Sequence, residues 1–167
     1  TTTLTATKDG ISSNTVNVDI CSIASACIDI FDSGSGKLFT NTPSVPYLDS
    51  IGGSASSFVN VFAGDTLGLD GRYSTFSHSQ ANLLCTTYNT QNLAGRTNWR
   101  LPTRDELKME LYDRFGNMGT ARGWSVYLSY WSTTPFQDTY YFVSLKDGAL
   151  KNNNASVKLY ASCVSEP

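Results

Sequence analysis

Apolar and polar residues alternate along residues 3–19, on both sides of the tripeptide KDG. Strict alternation has the period of a half-buried β-strand, and Asp-Gly between two such runs favours a tight turn. The pattern therefore predicts a β-hairpin with Gly10 in its turn. Because an isolated hairpin is barely stable in water, we expect this one to pack against the following segment or to be the remnant of a truncated repeat.

Two later segments repeat apolar residues at the spacing of an α-helix. Each begins with a capping box, in which a Ser or Thr caps the first turn and a Gln or Glu three residues later closes it. The two boxes are Ser77 with Gln80, and Thr103 with Glu106. The apolar faces that follow are Ala81, Leu84, Cys85 and Tyr88 in the first helix, and Leu107, Leu111 and Phe115 in the second. The pattern therefore predicts two helices, with Cys85 on a buried face.

Extended segments surround the two predicted helices. The candidate strands are CIDIF from Cys27, SSFVNVF ending at Phe62, YLSYWSTT from Tyr127, TYYFVSL from Thr139, and a final strand ending near Val164. The turns PFQD and KDG separate the later strands, which favours antiparallel pairing. Two helices followed by several antiparallel strands indicate an α+β fold.

The composition limits the classes of function that the chain can have. At 167 residues the chain suits one domain of ordinary size with a short appendage. Charged residues make up only 16% of it, below the usual quarter, and serine and threonine are abundant, which is typical of extracellular β-rich modules. A net charge of −2 offers no basic face for phosphates and excludes a nucleic-acid binder. No apolar run approaches the ~18–20 residues that span a membrane.

The four cysteines, Cys21, Cys27, Cys85 and Cys163, favour two disulfides over a metal site. A zinc site would need CxxC spacing, which is absent, and His78 is the only histidine in the sequence. Cys21 and Cys27 are close enough for a local loop. Three pairings of the four cysteines nevertheless remain open from spacing alone.

An ordered series of motifs fills the second half of the chain. It consists of Cys85, WRLPTRDEL from Trp99, YWSTT from Tyr130, and YASCV, which contains Cys163. The series resembles the bacterial C-type-lectin-like domains that share the pattern WRLPT…EL…YWSST…CV. The resemblance implies a C-type-lectin-like α+β fold in which the cysteine of the first helix is bonded to that of the last strand. The pairs would then be Cys85–Cys163 and Cys21–Cys27.

The same resemblance assigns roles inside the two aromatic motifs. It implies that Trp99 and Trp131 are core rings rather than sugar-stacking platforms, each burying on the order of 200 Å². Arg100 is expected to fix the end of a strand or helix through hydrogen bonds. A fold of this kind displays loops for recognition and usually carries no chemistry.

The N-terminal segment ATKDGISSNTVNV resembles the last two strands of the bacterial Ig-like repeats that build adhesin stalks. Together the two resemblances identify the chain as the C-terminal part of an intimin/invasin-type adhesin. Residues 1–19 would be the end of an Ig-like domain or a linker hairpin, and residues 20–167 the lectin-like domain. We interpret the sequence as a piece of a longer, exported polypeptide, which implies an extracellular location on a bacterial surface, anchored in the outer membrane through a region outside it.

Calcium-dependent sugar binding and catalysis are not expected. The chain has neither an EPN or QPD tripeptide nor WND, and Asp138, Asp147 and residues 152–154 do not form a calcium set at family spacing. Formylglycine-generating enzymes use a reactive cysteine pair, and the implied disulfides leave no free thiol. His78, between two serines, is interpreted as a solvated first-turn histidine. The prediction is a non-catalytic domain without cofactor or metal.

We predict binding to a host surface or secreted protein, such as a receptor, an integrin or an immunoglobulin, through loops 116–130 and 133–140. Tyr, Trp and Arg dominate binding hot spots. The candidate contacts are Arg122, Trp124, Tyr127, Tyr130, Phe136, Gln137 and Tyr140. The pattern leaves open an alternative, in which half of these side chains pack in the core. Calcium-independent glycan binding and a structural cap of the stalk are the alternative functions.

Overall fold

A computed structural model describes residues 21–53, 56–61 and 67–167, together with short strands at 2–4, 7–9, 11–12 and 16–18. The N-terminal strands are β1 (Thr2–Leu4), β2 (Thr7–Lys8), β3 (Ile11–Ser12) and β4 (Val16–Val18). Antiparallel pairing joins β2 to β3 and β1 to β4, so the predicted hairpin is confirmed in its strands. Gly10 itself lies outside the described residues, and the Ig-like origin of residues 1–19 stays a prediction.

In the rest of the chain, pairs of strands are separated by helices, and four strands follow the last helix. The strands are β5 (Ile30–Asp32), β6 (Leu38–Thr40), β7 (Ser57–Val61), β8 (Gly71–Thr75), β9 (Tyr130–Phe136), β10 (Thr139–Val143), β11 (Leu150–Asn153) and β12 (Val164–Ser165). The helices are α1 (Val45–Ser50), α2 (His78–Thr90), a π-helix (Glu106–Tyr112), α3 (Asp113–Phe115) and α4 (Met118–Arg122), with a 3₁₀ turn at Leu93–Gly95.

The strands form small antiparallel sheets. Their orders are β12-β6-β5, β7-β8 and β11-β10-β9. In the first sheet the last strand of the chain pairs with β6, where Val164 lies opposite Phe39. Val164 also bridges Arg100 in the WRLP segment. The end of the chain is therefore held between elements from its first and middle thirds.

Helix α2 follows its sequence pattern closely. Ser77 caps it, and the capping box with Gln80 is complete in both directions. The predicted face is buried, and the Cys85 sulfur on that face is bonded to Cys163. A second disulfide joins Cys21 to Cys27, so both implied pairings are confirmed.

Large rings fill two hydrophobic clusters. The Trp124 cluster includes Phe39, Tyr73, Leu107, Leu111, Met118, Trp124, Tyr130 and Tyr160. The Trp131 cluster includes Phe76, Leu84, Tyr88, Trp99, Leu101, Trp131 and the Cys85–Cys163 pair. Trp99 and Trp131 are 3% and 0% exposed, which confirms them as core rings. The indole N–H groups of Trp99 and Trp131 each donate to a backbone carbonyl, and a buried indole needs such a partner.

The predicted second helix begins with its capping box. Thr103 N donates to Glu106 Oε2 at 2.7 Å, and Glu106 N donates to Thr103 Oγ1 at 3.1 Å. The Glu106 carboxylate also accepts two hydrogen bonds from the Arg100 guanidinium at 2.8 Å and one from Lys37 Nζ at 2.9 Å. Burial opposes the charge on Glu106, but these hydrogen bonds prevail and lower its pKa to about 2. Arg100 is thus confirmed as an anchor of the helix start, although the helix continues in the wider π form rather than the predicted α form.

Two buried tyrosines provide a test of the core. Among the residues that the structure describes, none lies within hydrogen-bond distance of the fully buried Tyr88 hydroxyl. Tyr130 is equally buried, but its hydroxyl donates to the Ser125 carbonyl at 2.7 Å. Tyr88→Phe should therefore keep or raise the free energy of unfolding, whereas Tyr130→Phe should lower it by about 1–2 kcal/mol. Urea unfolding measures both variants, and a larger loss for Tyr88→Phe would contradict this account.

Candidate functional site

The prediction of exposed contacts is wrong for Trp124 and Tyr130, because both side chains are 0% exposed. The Trp124 indole N–H donates to Asp29 Oδ2 at 2.7 Å, and its ring lies 6.3 Å from that of Tyr130. Tyr130 in turn packs against Tyr160 at 5.5 Å. These two rings stabilise the fold and are not available to a partner.

Arg122 is exposed but already engaged with the fold. Its guanidinium donates two hydrogen bonds to the Asp29 carboxylate, at 2.7 and 3.0 Å, and lies 4.7 Å from the Phe31 ring centroid. Asp29 thus holds both Arg122 and Trp124. The arrangement ties helix α4 to the segment after Cys27, so Arg122 acts here as a structural residue.

His78 is not the solvated histidine that its neighbours in sequence indicated. The ring is 7% exposed and stacks on Tyr140, with centroids 3.6 Å apart. Its Nε2 lies 2.9 Å from the Ser132 carbonyl oxygen and therefore carries the proton that it donates. Burial lowers the pKa of His78 and keeps the imidazole neutral. Tyr140 consequently faces inward and attaches the β9–β10 hairpin to helix α2.

The opposite face of the same hairpin carries the exposed ring of Phe136 and the half-buried ring of Tyr141. Phe136 is 40% exposed, and its ring lies 5.2 Å from that of Tyr141. The Arg104 guanidinium, from the start of the second helix, lies 5.0 Å from the Tyr141 ring centroid. Gln137, exposed in the turn, has a positive φ of 52°, a conformation that costs energy in a residue other than glycine. We call Arg104, Phe136, Gln137 and Tyr141 the hairpin-tip patch.

A bulge in β9 gives the patch its shape. Residues 132–134 all lie opposite Tyr141, since Tyr140 pairs with Pro135 and Phe142 with Trp131. Ser132 Oγ donates to the Tyr141 carbonyl at 2.8 Å and stabilises the irregular register. Bulges bend a strand and re-aim its side chains. The end of β9 is thereby directed towards the helix start, where Arg104 N donates to Thr134 Oγ1 at 3.0 Å.

Tyr127 is exposed at 52% but lies at the other end of β9 from Phe136. The seven residues of β9 cover roughly 20 Å at the rise of a β-strand, so these two rings do not belong to one compact cluster. Of the seven predicted contacts, the structure brings only Phe136 and Gln137 together in an exposed cluster. Arg104 and Tyr141, which are both half-buried, complete that cluster and were not predicted. The alternation in TYYFVSL, which sends Tyr141 to the face opposite Tyr140, is the signal that could have revealed Tyr141.

A separate open groove of about 710 Å³ lies between the Cys21–Cys27 loop, the segment before β8 and helix α4. Its lining residues are small or polar: Ser22, Ala24, Gly68, Leu69, Asp70, Gly119, Thr120 and Gly123. Gly68 is required there, because a Cβ at this position would lie 2.0 Å from the Trp124 carbonyl oxygen. Three distant parts of the chain build the groove, which explains why sequence reasoning missed it.

Two of the side chains considered for calcium already accept hydrogen bonds within the β10–β11 hairpin. Asp147 Oδ1 accepts from Ala149 N at 3.1 Å, and Thr139 Oγ1 donates to Asn152 Oδ1 at 3.2 Å. In the part of the chain that the structure describes, no group of three or more His, Cys, Asp or Glu residues could hold a metal ion. Within the same ranges, no helix has both the length and the apolar composition needed to cross a bilayer.

Comparison with known proteins finds similarity to a family model and to solved structures. The family model described as the Lcl C-terminal domain matches residues 54–165. No curated protein matches the sequence. The solved structure of the Yersinia pseudotuberculosis adhesin InvE is similar to this chain with a TM-score of 0.56 and 17% sequence identity. The match covers 92% of this chain and 41% of that one, so this chain spans less than half the length of InvE. The α+β, C-type-lectin-like fold predicted from the resemblance to bacterial C-type-lectin-like domains is confirmed.

Proposed function

This chain belongs to the family of the Lcl C-terminal domain, and from that membership and its adhesin-like fold we propose that it is a bacterial cell-surface adhesion domain that binds a host protein. The partner is a receptor of the host surface or a secreted protein such as an immunoglobulin. The domain is the recognition part of an extracellular protein anchored in the outer membrane outside this sequence. Its role is attachment and not catalysis, since the four cysteines are paired and His78 is enclosed.

The hairpin-tip patch is the observation that carries this proposal. It presents the exposed ring of Phe136 and the half-buried ring of Tyr141 on a hairpin attached to α2 through the His78–Tyr140 stack, with the Arg104 guanidinium beside them. Arginine and tyrosine are enriched in hot spots, where a rigid, pre-ordered side chain loses little entropy on binding. The strained backbone of Gln137 at the turn is consistent with selection for recognition rather than for stability.

Calcium is not required for this binding. The carboxylate of Asp147 and the amide of Asn152 already accept hydrogen bonds within their own hairpins. A protein partner needs shape and contact area instead of a metal-bridged pair of sugar hydroxyls. Chelation by EDTA is therefore expected to leave the binding curve unchanged.

Truncation of the patch provides the main test. The double variant Phe136→Ala, Tyr141→Ala should bind cultured epithelial cells about 30-fold more weakly than the wild type, as expected for the loss of a hot spot worth ~2 kcal/mol. The measurement is saturation binding of the labelled chain by flow cytometry, with and without EDTA. Phe58→Ala is the matched control, because Phe58 is 53% exposed and also lies beside a guanidinium, that of Arg72 at 4.3 Å.

Each outcome separates the candidate functions. Equal losses in the double variant and in Phe58→Ala would remove the patch as the binding site. Competition by simple sugars would favour a lectin-like function over protein recognition. Absence of saturable binding by the wild type would leave a structural cap of the stalk as the remaining function.

Calcium-independent glycan binding is the second candidate, and the groove is the observation that favours it. The polar residues Ser22, Thr120 and Asp70 line it beside Leu69. Hydroxyl groups of a neutral sugar need donors and acceptors of this kind. A glycan bound there would contact neither Phe136 nor Tyr141, so the double variant would retain its binding.

A further inference from the structure

Strand β11 forms an outer edge of the sheet that carries the hairpin-tip patch. The order of that sheet is β11-β10-β9, so one side of β11 pairs with β10 and no described strand pairs with the other. All four residues, Leu150–Asn153, are exposed. A free edge offers a row of peptide donors and acceptors to any extended segment.

The register of the ladder shows which peptide groups are free. Phe142 lies opposite Lys151, Tyr141 opposite Asn152, and Ser144 N donates to the Ala149 carbonyl at 2.9 Å. Peptide groups in an antiparallel ladder alternate between pointing to the partner and pointing away. The groups of Lys151 therefore point towards β10, and those of Leu150 and Asn152 point outward.

The free edge and the hairpin-tip patch belong to one surface. Directly opposed residues share a face of a sheet, so Asn152 and Leu150 are on the face of Tyr141. Thr139 Oγ1 links this face to Asn152 through its hydrogen bond at 3.2 Å. A strand added beside β11 would extend the surface that Phe136 and Tyr141 begin.

The charges near this edge indicate what kind of segment could pair with it. Lys151 lies in β11 and Lys146 in the turn before it. Asp147, the carboxylate that the structure describes on the β10–β11 hairpin, already accepts a hydrogen bond from Ala149 N. An antiparallel pair of two copies centred on Lys151 would place the two lysines directly opposite each other, which is destabilising. A segment with an acidic residue at that position has the complementary charge.

We propose that the partner protein binds by adding an extended, acidic segment to β11 as a further strand. Its peptide groups bond to those of Leu150 and Asn152, and its acidic side chain lies opposite Lys151. This inference rests on the proposed function and names the kind of segment that the host protein offers.

A proline substitution tests the edge without disturbing the existing ladder. Proline removes one backbone N–H, and at Leu150 or Asn152 the lost N–H is one that points outward. Leu150→Pro and Asn152→Pro should each weaken binding to the epithelial cells at least tenfold while keeping the wild-type melting temperature. Asn152→Ala is the matched control, since it truncates the side chain but keeps the peptide group. Lys151→Pro removes an inward N–H and should disrupt the hairpin itself.

Hydrogen exchange of the wild type provides a second measurement that does not depend on a variant folding. On binding to the cells' solubilised surface proteins, the amides of Leu150 and Asn152 should become protected, whereas the amide of Lys151 is protected already. Wild-type binding by both proline variants, or unchanged exchange at both amides, would overturn the edge pairing and leave the adhesive function intact. Absence of binding by the wild type would overturn both.

Discussion

Replacing both Cys85 and Cys163 by alanine is expected to lower the free energy of unfolding by about 4–5 kcal/mol. The bond closes a loop with a sequence separation of 78 residues, and a cross-link over so long a loop removes much entropy from the unfolded chain. Both cysteines are also buried in the Trp131 cluster, at 1% and 0% exposed, so the substitution leaves a gap in the core. A loss of this size is a large part of the stability of a typical domain.

The other disulfide is the control for this prediction. Cys21 and Cys27 are separated by 6 residues, so their replacement by alanine should lower the free energy of unfolding by only about 2 kcal/mol. Guanidinium unfolding of the two double variants under non-reducing conditions gives the comparison. Equal losses would show that loop length does not determine the contribution of these bonds.

Glu106→Ala is expected to lower the free energy of unfolding by about 2–3 kcal/mol at pH 7. The variant loses the capping-box acceptor and the buried carboxylate that pairs with both Arg100 and Lys37, which then keep the more exposed Glu166 and Glu110 as partners. The folded state lowers the pKa of Glu106 from 4.5 to about 2, so the ionised carboxylate favours folding. Its contribution is complete above about pH 4.5 and disappears as the pH falls towards 2, where the folded protein takes up the proton.

Glu110→Gln is the matched control for the ion cluster. Glu110 contacts the same Lys37 at the same 2.9 Å, but its side chain is 28% exposed against 8% for Glu106. Exposed ion pairs contribute little, so the loss should be below about 1 kcal/mol. Thermal unfolding from pH 2 to pH 7 measures both variants. A difference between wild type and Glu106→Ala that does not shrink in acid would exclude the carboxylate charge as its source.

Local patterns predicted the local parts of the fold. Helix α2 was predictable because Ser77, Gln80 and the buried face lie within four turns, and their spacing alone sets cap and amphipathicity. The pairing of Cys85 with Cys163 came from the family resemblance, since spacing left other pairings open. The π-helix was not predictable, because the capping box and apolar spacing of residues 103–115 fit an ordinary helix as well.

The errors concern residues whose environment is built from distant segments. Trp124 lies in a glycine-rich stretch that indicates a loop, and its burial depends on Asp29, which is 95 positions away. His78 sits between serines, and only the tertiary fold places Tyr140 over its ring. The hairpin-tip patch joins Arg104 to Tyr141 for the same reason. A single sequence shows which residues are suited to such contacts but not which ones meet.

The Cys85–Cys163 bond also determines how the domain behaves as a mechanical link. The β9–β10 hairpin lies between the two joined cysteines along the chain. A pull on this hairpin is carried by both arms of a covalent ring, so neither arm can be drawn out beyond the length of the shorter one. The bond therefore limits how much chain residues 85–163 can release under tension, whereas β5 and β6 lie outside the ring and are not restrained by it.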